Sequence, residues 1–510
     1  MSERLSGRQW LIILTASAGA MLEVVDVSIT NVALLHIQAS LGATLAEVGW
    51  VVTGYAMASV VVIPLSGWLT ALLGQRRYFL LSLLGFTAAS LLCGLAPTLP
   101  LLVVARLLQG GLGGGLMPMA QAILFRSVPR SLQGMAQGVF GLVVLVGPAI
   151  GPTLGGVLTD GLGWRWVFFI NLPLGLLTAL LALATFPEEQ HPRVDGPGLR
   201  IDGVGITLLV VSLASIQVVL EQGRQLDWFA APLIRQLTLL ALVTLPLFVV
   251  WELRRPDPAV DLRVLRHPAL VAGCLFSFVL GIGLYGTVFV VPLFAQSQLH
   301  QTATQTGLLM LPGALASGLT MVLLGRLSGR WPPRGLIATG ATLMVLTLLQ
   351  LGTIGPDTGE PSLFWPLMAR GMTTVMMFLP LSLVTLGGLP KGDLGAASGL
   401  YNLSRQLGGS FGIAGLTVVL DQRLSLHRDH LLEHLQRSDP LLQERLLTLQ
   451  QHVSDDQALA VLADQVQRQA ALLAFGDVFR TVAVLFVLAL PLLALMPAPQ
   501  PSPQSRSRLA

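Results

Sequence analysis

Two carboxylates sit where an apolar helix is expected, Glu23 and Asp26 in the run LEVVDVSITNVAL (22–34). Three residues apart on a helix, they share one face. A charged side chain near the centre of a bilayer costs at least about 2.5–3.5 kcal/mol, so its presence implies a compensating role. Burial and a like-charged neighbour both favour the protonated acid, which suits a group that binds and releases protons. The competing reading places one carboxylate near the outer surface and the other in a structural hydrogen bond. Arg106, in VARLLQG, is the only charge in its apolar stretch. A guanidinium keeps its proton, so Arg106 must face a polar cavity or a carboxylate, or lock two helices through carbonyl oxygens. Arg370 and Arg405 pose the same alternatives later in the chain. Asn31, Gln109, Asn402 and Gln406 are expected to add polar contacts inside the same cavity.

A different device lies in GLVVLVGPAIGPTLGG (141–156), where Gly147, Pro148, Gly151, Pro152, Gly155 and Gly156 punctuate an apolar run. Small residues let helices approach closely, and the prolines remove backbone donors and bend the helix. A bendable, closely packed helix suits alternating access. Met376 and Met377 offer an adaptable apolar lining. Cys93 and Cys274 both lie in apolar runs and read as packing residues. GGLGGG (110–115) lacks the Lys-Ser/Thr of a phosphate-binding loop, the histidines show no zinc spacing, and no nucleophile–base pair is present. Neither an enzyme nor a metal or other cofactor site is expected, and nothing points to nucleic acid.

The elements that must position these residues follow from composition. Of 510 residues, 53% are hydrophobic and 11% charged, against roughly 25% charged in soluble domains. A helix crosses lipid with about 20 apolar residues. Fourteen stretches qualify: 9–33, 48–70, 78–96, 99–122, 135–158, 166–186, 203–221, 234–251, 269–292, 305–325, 335–354, 362–386, 395–420 and 477–496. The first contains Glu23 and Asp26 and leads straight into another span, so it reads as a retained helix and not a cleaved signal. Short loops after even-numbered spans hold 14 Lys/Arg and the opposite ones 3, which predicts cytoplasmic termini. The segment 421–476 then lies outside, with two short amphipathic helices broken near Pro440 and 453–457. The proline-rich tail from Pro497 reads as disordered.

The two ends of the chain resemble each other. GMAQGVF (134–140) matches GAASGLY (395–401), GWLTALLGQRR (67–77) matches GRLSGRWPPR (325–334), and Arg106 in span 4 matches Arg370 in span 12. All three matches share an offset of eight spans, the mark of an internal repeat. The expected fold is an all-α polytopic membrane protein of 14 transmembrane helices, with two six-helix bundles and two inserted central helices. Residues 1–190 form the first bundle, 191–262 the linker and inserted pair, 263–496 the second bundle, and 497–510 the cytoplasmic tail. The inserted pair is expected outside both bundles.

These residues resemble a known family. GLVVLVGPAIGPTLGG resembles the span 5 antiporter motif of the major facilitator superfamily, LLVVARLLQGGLGGG (101–115) its span 4 motif, and LEVVDVSITNVAL its span 1 motif. With WRWVFFINLPLG (164–175) and LYNLSRQLGGSFG (400–412), the chain is similar to the fourteen-span drug:proton antiporters of the EmrB/QacA type. The resemblance implies export of small hydrophobic or amphipathic compounds across the plasma (inner) membrane, driven by the proton gradient. It assigns proton coupling to Asp26, Glu23 and Arg106, favouring Asp26 by its motif position. In Gram-negative members it also implies a periplasmic adaptor and an outer-membrane channel. The chain departs from the pattern at Ala71, where a motif aspartate is usual, at Gly329 in the second copy, and at Leu35 in place of a proline. Gating is therefore expected to rest on the basic loops and helix ends. The same fold also serves transport of a specific metabolite, and a non-transporting scaffold or sensor is the remaining reading.

Overall fold

Apolar runs of this length can satisfy their backbone hydrogen bonds in lipid only as helices or closed barrels. The computed structural model describes residues 5–187, 202–327, 331–353, 355, 358–434, 440–451 and 454–496, and all regular structure among them is helical. In chain order the helices are α1 (Gly7–Leu41), α2 (Leu45–Val48), α3 (Trp50–Leu73), α4 (Gln75–Leu95), α5 (Leu99–Gly113), α6 (Leu116–Ser127), α7 (Gln133–Leu162), α8 (Trp166–Phe169) and α9 (Asn171–Thr185). They continue as α10 (Gly203–Gln222), α11 (Pro232–Arg254), α12 (Pro268–Ser297), α13 (Ala303–Leu327), α14 (Pro333–Leu351), α15 (Glu360–Leu386), α16 (Leu394–His434), α17 (Pro440–Gln450) and α18 (Asp455–Ala489).

Twelve segments among the described residues are long and apolar enough to cross a membrane, counting α5 with α6 and α8 with α9 as one each. The chain is thus an all-helical, multi-pass membrane protein. Helices α7 and α16 fall outside that set. Each packs against helices from both ends of the chain, α7 on α1 and α13, α16 on α3 and α12. Cys93 and Cys274 are both buried and free.

Local chemistry explains the helix ends. Ser6 caps α1 in a reciprocal pair with Gln9, and Gly42 closes the helix in the left-handed region at φ 63°. Two spans are broken where hydropathy alone reads them as continuous. Gly114 and Gly115 separate α5 from α6, and Ile170 separates α8 from α9.

The polar segment 421–476 departs from expectation. The last turns of α16 carry the chain past residue 421 as far as His434, and α17 is the only short separate helix described there. The second expected amphipathic helix is instead the first half of α18, which starts at the Ser454 cap and runs unbroken into the final span. No proline interrupts residues 455–489, and Gly476 lies within the helix where a side chain would meet the Gly352 backbone. Asp477 ties the two extensions together. It accepts from His427 Nε2 at 2.9 Å and Arg480 Nη1 at 3.1 Å, and Arg423 lies 3.6 Å away. Because these partners are partly solvated, Asp477→Asn is expected to cost only about 1 kcal/mol, read as a small fall in thermal midpoint in detergent.

The helices expected as the inserted pair are α10 and α11. Helix α10 lies against α3 and α16, and α11 packs on α10. Gln222 donates to Thr53 on α3 (2.8 Å) and Gln217 to Ser410 on α16 (3.0 Å). The pair is therefore fastened to helices from both ends of the chain. The linker 188–201, Gly329 and the tail from Pro497 lie outside the described residues.

Candidate functional site

The apolar face of α1 brings Asp26 into the packed interior, where it is fully buried. Three donors from two other helices converge on its carboxylate. Arg106 Nη1 on α5 lies 2.5 Å from Oδ2, while Gln109 Nε2 (3.0 Å) and Asn171 Nδ2 (2.7 Å) bond Oδ1. Arg106 and Gln109 are three apart, so one turn of α5 presents both. Asn171 reaches the site because α9 begins there, directly after the break at Ile170.

The rest of the guanidinium is satisfied as well. Its Nε donates to the Val51 carbonyl (3.1 Å), Nη1 also reaches Gln109 Oε1 (2.7 Å), and its face stacks on Tyr55, 4.2 Å from the ring centre. Ser90 on α4 closes the network by accepting from Gln109 (2.6 Å) and Asn171 (2.9 Å). A buried ion pair survives desolvation only when its remaining polar atoms are bonded in this way. The arrangement holds a carboxylate against a permanent cation, with two side-chain amides on its other oxygen.

Glu23 is nearly buried and stands apart from this pair. Its Oε2 accepts from the Met117 backbone N–H at 3.1 Å. Met117 is the second residue of α6, so Glu23 caps the half-helix that the Gly114–Gly115 break exposes. The two carboxylates thus share α1 but have different surroundings: one is locked to arginine, the other to a backbone end.

Of the second-half residues, Arg405 is 1% exposed and contacts Asn402 Oδ1 and Met117 Sδ. Asn402 in turn donates to Gln121 on α6 (2.7 Å), which links α16 to α6. Arg370 on α15 bonds Thr287 on α12 at 2.7 Å. Gln406 is half-buried and Asn31 exposed. Five residues beyond Asp26, Asn31 is rotated about 140° around the helix, which takes it off the buried face. Met377 is fully buried and Met376 half-buried, and both pack against Gly340.

The glycines of α7 form a seam on the acidic helix. A side chain at Gly147 would meet Val24, one at Gly151 Ser28, and one at Gly155 Ile29, whereas Gly156 faces open space. The spacing of four residues puts the first three on one face of α7. They hold α7 against the turns of α1 that carry Glu23 and Asp26. Ala71 lines a cavity of about 480 Å³ with Gly67, Arg126, Asp261, Asp393 and Ala396.

Of the three residues expected to act together, Asp26 and Arg106 are in contact and Glu23 stands apart, while Gln109, expected in the substrate cavity, joins Asp26 instead; Asn171, Ser90 and Tyr55 were not singled out by the sequence. For Asn171 a signal was present: a lone amide in the apolar run FFINLPL, at the point where the helix breaks.

The family model described as Major Facilitator Superfamily matches residues 16–413. The chain is 32% identical over 488 residues to the Fatty acid resistance protein FarB of Neisseria gonorrhoeae, covering 95% of this chain and 96% of the relative. It is 32% identical over 489 residues to the Multidrug export protein EmrB of Escherichia coli K12, covering 95% of each. Among solved structures, the proton:xylose symporter XylE superposes with a TM-score of 0.59 at 13% identity, over 93% of this chain and 94% of that one. At that identity the likeness is one of fold.

Proposed function

The chain belongs to the major facilitator superfamily, alongside the EmrB export proteins, and from that premise we propose that it exports small hydrophobic or amphipathic compounds in exchange for protons. The buried Asp26–Arg106 pair, with Gln109 and Asn171, carries this reading. A carboxylate that must part from its arginine before it can accept a proton couples protonation to movement of helices α1 and α5. Relatives named for multidrug export and fatty acid resistance fit a lipophilic cargo. The energy source is the proton gradient, and no cofactor takes part.

In the full arrangement α7 and α16 also cross the membrane, giving fourteen spans in two six-helix bundles with α10 and α11 inserted between them. Both termini face the cytoplasm and the protein sits in the plasma membrane. The seam of α7 on α1 then serves as the bending element, so that a tilt of α7 moves both carboxylates together. The helical extensions that end α16 and begin α18 face outward, where a periplasmic adaptor would dock, with an outer-membrane channel beyond it.

Inverted vesicles with an imposed pH gradient test the reading directly. A panel of lipophilic cations, anions and neutral compounds is expected to include at least one that accumulates only while the gradient stands. Accumulation that persists after the gradient is collapsed would remove proton coupling. A panel in which only one polar metabolite moved would favour the specific-metabolite reading instead.

A further inference from the structure

Two carboxylates outside the Asp26 network meet at the junction of α10 and α11. Asp202 caps α10 and is 2% exposed, and Glu252, in the last turn of α11, is fully buried. A Cβ built on Gly205 would lie 2.4 Å from Glu252 Oε1 and 2.5 Å from Asp202 Oδ2, so both oxygens crowd the same glycine. Their other contacts are uneven. Asp202 Oδ1 accepts from the Gly205 N–H (3.0 Å), both of its oxygens accept from Trp251 Nε1 (3.1 and 3.0 Å), and Arg255 Nε lies 3.8 Å away. Glu252 Oε2 accepts from the Val260 N–H at 3.3 Å, but its Oε1 has no donor.

One half-exposed guanidinium thus serves two buried carboxylates, and the field of Asp261 adds to the negative charge. Arg254, Asp257 and Arg263 are exposed, α3 carries no charged residue where it packs on α10, and α16 bonds α10 at Gln217, about four turns from Asp202. Two ionised carboxylates side by side, one with an oxygen that no donor reaches, are costly to bury. A proton on Glu252 removes that cost, because Oε1–H becomes a donor to Asp202 Oδ2 while Oε2 keeps Val260. What Glu252 holds gives the pair its reach. Val260 belongs to the loop between α11 and α12, whose Pro256, Ala259 and Asp261 line the cavity of about 480 Å³ with Gly67 of α3 and Ala396 of α16. The far end of this loop is fastened separately, by Arg266 and His267 at 3.7 and 3.4 Å from Asp393 Oδ2, beside the start of α16. There α3 and α16 touch: a Cβ at Gly67 would lie 2.6 Å from the Ala396 backbone nitrogen.

We propose that Asp202 and Glu252 bind one proton between them, and that this proton latches the α11–α12 loop onto the place where α3 and α16 meet. With the proton in place the pair carries a single negative charge, matched by Arg255. Without it the two carboxylates repel, Glu252 swings out, and Val260 loses its acceptor. A rise in pH is therefore the releasing direction. The site lies apart from Asp26 and Glu23, does not depend on the export reading, and gives α10 and α11 a role.

A nitroxide label reports the latch. Asp257→Cys places one on the exposed part of the loop, and the native Cys93 and Cys274 are buried. In the full-length protein in lipid nanodiscs, the electron paramagnetic resonance spectrum is expected to shift from a restricted to a mobile line shape between mildly acid and mildly alkaline buffer. Glu252→Gln, whose amide donates to Asp202 while its oxygen keeps Val260, should stay restricted throughout. Asp202→Asn should do the same by donating to Glu252, and it decides the matter if the first variant does not fold. His267→Gln should keep the wild-type shift. A spectrum indifferent to pH without any of these changes overturns the proposal, as does a shift that survives Glu252→Gln or Asp202→Asn. A shift that vanishes with His267→Gln also overturns it, because the switch would then lie at Asp393. A shift driven by sodium or magnesium at constant pH would make this a metal-cation site and overturns the proton assignment.

Discussion

Replacing Asp26 by asparagine is expected to abolish uphill export while leaving a folded, inserted protein. The carboxylate accepts from Arg106, Gln109 and Asn171, and an asparagine at 26 offers one oxygen to three donors. At least one donor is left without its acceptor, a loss of about 1–3 kcal/mol that a membrane protein of this size should tolerate. Asp26→Ala is harsher, because Arg106 then stays buried with no counter-charge, at about 3–5 kcal/mol. The two substitutions therefore separate function from folding. With Asp26→Asn, downhill flux of a substrate should persist in vesicles, whereas accumulation against a gradient should vanish and no longer respond to imposed pH. An Asp26→Asn protein that concentrates substrate as fast as wild type would show that coupling resides elsewhere, and Glu23 would be the next group to test.

The second large effect is expected at the α7–α1 seam. A side chain added at Gly151 runs into Ser28, so Gly151→Ala must push α7 away from the helix that carries both carboxylates. Overpacking of this kind costs about 1–3 kcal/mol, and the displacement should remove most transport activity. Gly156→Ala, five residues along the same motif, meets nothing within 4 Å and should be neutral or slightly stabilising, by up to about 1 kcal/mol. Trimming the obstacle provides the check. Ser28→Gly combined with Gly151→Ala should recover both thermal midpoint and transport, while a double variant as inactive as Gly151→Ala alone would mean that the glycine serves something other than close approach.

How much of this was legible in the sequence depends on the kind of signal. Asp26 and Arg106 stood out because a charge in an apolar run has a large energetic cost, which points to a role. Ser90 and Tyr55 carry no such cost, since serine and tyrosine are ordinary in membrane helices, and only the fold brings them to Arg106. The breaks at Gly114–Gly115 and Ile170 escaped because hydropathy does not change across them. The opposite error occurred at 421–476, where hydropathy changes and the helices do not. Apolar character reports how much of a helix suits lipid, while helix length is decided by the absence of breakers, and α16 and α18 continue through stretches whose described residues are mostly exposed. Asn31 was expected to line the cavity, but helical rotation turns it off the buried face of α1.

That continuity has a mechanical consequence. The part of α16 from Asp421 to His434 projects beyond the expected span as a stiff rod of about 20 Å, at 1.5 Å per residue. A rod joined to a rocking helix amplifies its motion: a tilt of about 10° at the membrane surface carries the tip sideways by roughly 3–4 Å over that length. Asp477 clamps the rod to the base of α18, so the two move as one arm. Whatever rests on the tip would thereby receive, as displacement, a readout of which way the transporter faces.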